Sequence, residues 1–161
     1  GHEAVDLYNN HDRQYHPATK LLGDKRAEMY PSDTDTADCG CCVATAVKLS
    51  GADENYPGRG TGVQLPYCKS HPEIWQQVCE EGTFASIKDK LMPGDVLITA
   101  QGHTFIYTGN EKIKEQFPDA TDDYNCVSGS LDQFGFKIVN YTEKTDQRIY
   151  CAFRCVNIAK H

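Results

Sequence analysis

From Met92 onward the chain becomes a succession of short apolar segments separated by Gly-, Asn- and Asp-bearing turns, and no other feature limits its fold as much. Residues 96–99, 103–108, 125–128, 136–141 and 149–156 are rich in β-branched and aromatic side chains and read as strands. Strands that follow one another after a helical first half predict an α+β domain whose sheet, of about five strands, is mainly antiparallel. In the last segment Ile149, Cys151, Phe153 and Cys155 alternate onto one face.

The first half reads differently. Ala4, Leu7, Tyr8, Leu21, Leu22, Ala27 and Met29 are spaced loosely for one buried face, with Pro17 and Gly23 as interruptions, so 1–34 is expected to be a helical lead-in packed on the core. A polar loop follows. Cys42, Val43, Ala46 and Val47 then recur at helical spacing, predicting a short helix from about Cys39 to Gly51. Residues 52–67, rich in Gly and Pro, read as an exposed loop, and 72–81 as a second helix burying Ile74, Trp75 and Val78. A chain of 161 residues with these elements makes one core, with 35–161 as its single globular domain.

Charge narrows the partners. Sixteen Lys and Arg against 23 Asp and Glu leave a formal charge of −7, with no basic stripe to engage nucleic-acid phosphates or anionic lipid. No apolar run approaches the roughly twenty residues of a membrane span. A monomer without nucleic-acid or membrane partners is expected. The chain opens on Gly1-His2 rather than Met, which reads as a cloning scar ahead of which a leader or further domains could have been trimmed, and this leaves the compartment open.

Eight cysteines admit three readings: small buried hydrophobes, one or two disulfides, or a zinc site. Zinc is the weakest, because Cys39-Gly40-Cys41-Cys42 lacks the usual two-residue gap and a second pair at matching spacing. Cys151 and Cys155, about 13 Å apart on one strand, are beyond mutual disulfide reach.

Cys39 is placed where nucleophilic chemistry would put a thiol. It stands at the expected start of an amphipathic helix, where backbone N–H groups and the dipole favour a thiolate. A thiol of pKa about 8.5 also needs a base. Of the six histidines, His103 is the candidate, because it follows the Ala100-Gln101-Gly102 turn and opens a strand that fixes its ring. His71 reads as a solvated residue at a helix entry. Asp38 reads as a helix-start carboxylate and Asp95 as the brace of the turn before its strand. The acidic run 119–123 lacks the spacing and closing Glu of an EF-hand loop and reads as solvated.

Asp38-Cys39-Gly40-Cys41-Cys42-Val43 resembles the Asp-Cys-Ser-Gly-aromatic-Val motif of the NlpC/P60 cysteine peptidases. Leu91-Met-Pro-Gly-Asp95-Val-Leu and Gly102-His103-Thr-Phe-Ile-Tyr-Thr-Gly-Asn110 are similar to that family's Pro-Gly-Asp-Leu and His-Val-Gly-Ile-Tyr-Ile-Gly-Asn segments, in the same order. The matched region covers roughly 35–156.

The resemblance implies a papain-like fold, no metal or organic cofactor, and cleavage of amide bonds in bacterial peptidoglycan stem peptides. It also implies a secreted or cell-wall-acting protein of bacterial or phage origin. It makes Cys39 the nucleophile, His103 the base, and a residue of the 125–130 segment the orienter of the imidazole, with Ser128 the best-aligned position and Asn125 its rival. Tyr30 lies where relatives carry an aromatic residue lining the site. Two alternatives keep the fold: a thiol acyltransferase, and a non-catalytic peptide-binding module in which the serine marks a decayed site.

Overall fold

A computed structural model describes residues 39–49, 51–58, 60–111, 125–129, 136–139 and 147–157; the expected lead-in, Tyr30, Asp38 and the acidic run fall outside them. The described chain is α+β. Helix α1, Cys39–Leu49, is the one expected around Cys39. Its valines are modest helix formers, so burial against the sheet, more than local propensity, holds it.

Five strands follow in the places expected: β3 (Val96–Thr99), β4 (His103–Tyr107), β5 (Cys126–Gly129), β6 (Phe136–Val139) and β7 (Ile149–Cys155). Two shorter ones, β1 (Trp75–Gln77) and β2 (Gly82–Thr83), both pair with β7. The result is a seven-stranded antiparallel sheet in the order β1-β7-β3-β4-β5-β6, with β2 also on β7.

Two expectations are corrected. Residues 72–81 are not a helix. Trp75 lies opposite Cys155, and the Val78 N–H donates to the Ala152 carbonyl at 2.9 Å, because an open edge of β7 offers this segment a ladder that outweighs its helix-like spacing. Nor is all of 52–67 an exposed loop: α2 spans Thr61–Ser70 and carries Pro66 inside it. Gly60, at φ +85°, supplies the left-handed turn that starts α2. The buried side chains of Gln64 and Cys68, one helical turn apart, then anchor it.

The sheet separates two apolar layers. Cys42, Val43, Ala46 and Val47 of α1 pack with Val96, Ile98, Ile106, Val127, Cys151 and Phe153 on one face. On the other, Phe84 and Ile87 of α3 (Phe84–Ile87), together with Leu91, cover Leu97, Phe105, Cys126, Tyr150 and Ala152. Each layer follows from the period-two alternation of the strands.

Asp95 joins the turn before β3 to β7 and is 1% exposed. Its Oδ1 accepts from Arg154 Nε at 2.9 Å, and its Oδ2 accepts from Arg154 Nη2 and from the Met92 N–H, both at 2.8 Å. Both oxygens are therefore occupied by donors, so the NH₂ group of an asparagine side chain at this position meets an N–H in either orientation. Asp95→Asn should lower stability by about 3 kcal/mol, and the thermal midpoint by about 10 °C. A thermal melt followed by circular dichroism checks this, and an unchanged midpoint would contradict the role given to the bridge.

Candidate functional site

Cys39 is the first residue of α1 and is half-buried, whereas Gly40, Cys41 and Cys42 behind it are buried. The direction of α1 follows from its exit. Gly51, at φ +76°, turns the chain, and the next carbonyl, that of Ala52, accepts from Asn157 Nδ2 at 2.8 Å and from the Cys155 thiol at 3.7 Å. The helix therefore ends beside the end of β7, which the register places beside the start of β3 and the end of β4. Eleven helical residues span about 16 Å, close to the length of β4. The start of α1 thus reaches the opposite end of the sheet, where His103 opens β4.

His103 is half-buried and lies opposite Thr99. The turn before it is held by side chains. Gln101 donates its N–H to Thr99 Oγ1 at 3.1 Å, and its Oε1 accepts from the Ile149 N–H at 3.0 Å, tying the turn to the start of β7.

Ser128 Oγ stands 3.5 Å from His103 Nε2, at the long limit of a hydrogen bond, and Ser128 is 5% exposed. Asn125 is elsewhere: its carbonyl accepts from the N–H groups of Thr108 and Gly109, beyond the far end of β4. The register that pairs Tyr107 with Cys126 accounts for this, since it sets Ser128 diagonal to His103 on one face.

Cys39 and His103 share an end of the sheet and not a face. Ile106 and Val127 meet α1, so strand alternation sends His103, Phe105 and Ser128 to the other side. The His103 and Phe105 rings lie there with centroids 5.8 Å apart. Spacing in sequence carries no information about this, because it fixes which residues come near one end but not the side from which a helix docks.

The other thiols are placed for packing. All eight cysteines are unbridged, and every one except Cys39 and Cys79 is buried. Burial pushes Cys68 up to about 12 and Cys151 up to about 11, and holds Cys126 well above the ordinary value. Among the described residues no cluster of His, Cys, Asp and Glu fits a metal ion, and no helix is long and apolar enough to cross a membrane. His71 closes α2, its ring stacked on Tyr67 at 4.1 Å and its Nδ1 2.8 Å from the Tyr67 carbonyl.

Sequence reasoning missed Gln64 and Asp53, both buried. Gln64 donates through Nε2 to the Gly40 carbonyl at 3.0 Å and to the Pro57 carbonyl at 2.9 Å. Asp53 Oδ2 accepts from Trp75 Nε1 at 2.8 Å and from the Tyr67 hydroxyl at 2.9 Å. The available signal was the four-residue spacing of Gln64 and Cys68, masked by the neighbouring glycines and prolines.

No family model matches the chain, and no curated protein or solved structure matches it.

Raised thiol values carry a signed consequence. With an ordinary value of 9.0 and a folded value near 12, Cys68 gives its full contribution below pH 9; above that the unfolded chain releases a proton the folded chain still holds, so stability falls. Cys151 and Cys126 add in the same direction. Urea midpoints should be flat from about pH 7 to 8.5 and fall steadily above about pH 9, less steeply in Cys68→Ala. A midpoint that rises through this range would contradict the buried-thiol account.

Proposed function

We propose that the protein is a thiol hydrolase of papain-like type that cleaves amide bonds in bacterial peptidoglycan stem peptides. One observation carries the reading: a half-buried cysteine at a helix start and a strand-opening histidine come to the same end of one antiparallel sheet, and that histidine has Ser128 Oγ at 3.5 Å. The resemblance of the segments around Cys39, Asp95 and His103 to the NlpC/P60 peptidases supplies the substrate class.

The chemistry follows from the groups. The Cys39 thiol gives its proton to the His103 imidazole, and the thiolate sulfur bonds to the peptide carbonyl carbon. N–H groups at the start of α1 hold the resulting oxyanion. As the C–N bond breaks, His103 returns the proton to the leaving amine. Water, deprotonated by the same imidazole, then displaces the thiol and releases the acid. On this reading thiol and imidazole meet over the end of the sheet when substrate is bound, since catalytic hydrogen bonds tighten in the complex. Ser128 accepts or donates one neutral hydrogen bond at the ring and brings no charge to stabilise imidazolium.

The placement of His103 on the face away from α1 favours a second reading, a peptide-binding module of the same architecture without turnover. Digestion of purified peptidoglycan, with mass analysis of the released peptides, separates the two. Hydrolysis predicts release by the wild type, none by Cys39→Ala, a loss of about two to four orders of magnitude in His103→Ala, and about tenfold in Ser128→Ala. Retention on peptidoglycan without released peptides, equal in wild type and Cys39→Ala, would establish the binding module instead.

A further inference from the structure

Gln64 is fully buried, as is Cys68 one turn further along α2, but unlike that thiol it carries a strongly polar side chain into the interior. Its amide is committed on one side only: Nε2 donates to the carbonyls of Gly40 and Pro57, whereas its Oε1 is buried with no partner. Buried amides rarely leave an acceptor unsatisfied, so packing alone is a poor reason for a glutamine here, where a Met or Leu would fill the volume without that penalty.

The bond to Gly40 lies in the first turn of α1, one residue from Cys39. In a helix the Gly40 carbonyl and the Cys41 N–H belong to one peptide unit whose carbonyl points along the helix and whose N–H points back past Cys39, out of the helix start. A donor on the carbonyl polarises the whole unit and raises the positive charge on that N–H. It also fixes the plane of a peptide that follows a glycine, the residue with the greatest backbone freedom.

We propose that Gln64 is a positioning residue for the Cys39 site, locking and polarising the Gly40–Cys41 peptide so that the helix start favours negative charge at Cys39. This rests on the reading of Cys39 as the nucleophile. It acts through the peptide and touches neither substrate nor thiol. The glutamine on α2 also explains how a second helix bears on the chemistry there: α2 is held by its own contacts to Tyr56 and Asp53, and Gln64 transmits that placement to α1.

The test is the pH dependence of iodoacetamide labelling between about pH 5.5 and 9, read residue by residue through peptide mapping, with half-buried Cys79 as the internal reference. In the wild type Cys39 should label well below the ordinary thiol range of about 8.5. In Gln64→Met and Gln64→Leu, labelling of Cys39 at pH 6 should fall about tenfold, which is one unit in its midpoint, with Cys79 unchanged.

An unaltered Cys39 profile in either folded variant overturns the proposal. So does a uniform acceleration at buried Cys42 and Cys68, which would mean that Gln64 serves only to hold the fold. Should both variants fail to fold, the wild type decides: the Gln64 side-chain amide resonances must shift with the Cys39 labelling midpoint, and resonances flat through that range overturn the proposal. A wild-type Cys39 that labels only in the ordinary thiol range removes the nucleophile reading itself, and this inference with it, whereas early labelling in the wild type with unresponsive variants removes only the role of Gln64.

Discussion

The bidentate bridge from Arg154 to Asp95 fixes the geometry on which everything else depends. Arg154 also donates to the Lys90 carbonyl at 3.2 Å, so one guanidinium on β7 grips the end of the helical turn Lys88–Lys90 and the Pro-Gly-Asp corner together. Hydrogen bonding to Asp95 holds the Arg154 guanidinium above its ordinary value. From that corner β3 runs up the centre of the sheet. The same residue's backbone sets β4, because the Tyr107 N–H donates to the Asp95 carbonyl at 2.8 Å and the Gly94 N–H donates to the Tyr107 carbonyl at 2.8 Å. The end of β4 is thereby clamped to the start of β3, and the opposite end of β4, with His103, is placed by the length of the strand.

A second carboxylate does the same for the helical layer. Asp53 lies directly after the exit from α1 and draws together the indole N–H of Trp75 and the hydroxyl of Tyr67, so the end of α1, the middle of α2 and the edge strand β1 meet at one buried charge. Tyr56 fills the space between them, with ring centroids 5.1 Å from Trp75 and 5.8 Å from Tyr67. A carboxylate buried with three donors, the third being the Asn55 N–H at 3.0 Å, is satisfied rather than strained. The consequence reaches the candidate site, since α2, oriented by Asp53 through Tyr67, is the helix that delivers Gln64 to the first turn of α1.

What was legible in the sequence was set by local signals. The Pro-Gly-Asp corner, the alternation in β4 and β7, and the helical spacing from Cys42 to Val47 are short-range patterns that the tertiary structure reinforces, so the class and the five principal strands could be read from them. The segment around Trp75 could not, because Ile74, Trp75 and Val78 fit a helix as well as an edge strand, and what selects the strand is the open side of β7, where Trp75 pairs with Cys155 eighty residues further on. Thr61–Ser70 failed for the opposite reason. Gly60, Gly62 and Pro66 are loop signals taken singly, and the burial of Gln64 and Cys68 that stabilises the helix depends on partners distant in sequence. Of the candidate site, the choice between Ser128 and Asn125 turned on a strand register that no local pattern encodes.

The face taken by His103 is a matter of register as well, and one side chain explains it. Phe105, two residues on and therefore on the same face, is fully buried between Phe84 and Tyr150, with ring centroids at 5.9 and 5.2 Å. A phenylalanine there commits its face of β4 to the aromatic layer beneath α3, leaving α1 the face of Thr104 and Ile106. Thr104 fits that choice, since its hydroxyl donates to the Leu97 carbonyl at 2.7 Å and so presents a small, internally satisfied surface to the helix side. Slipping β4 by one residue to bring His103 under α1 would bury Phe105 against the helix and turn Ile106 into the aromatic layer, undoing both apolar clusters at once. The position of the imidazole is thus held by the core.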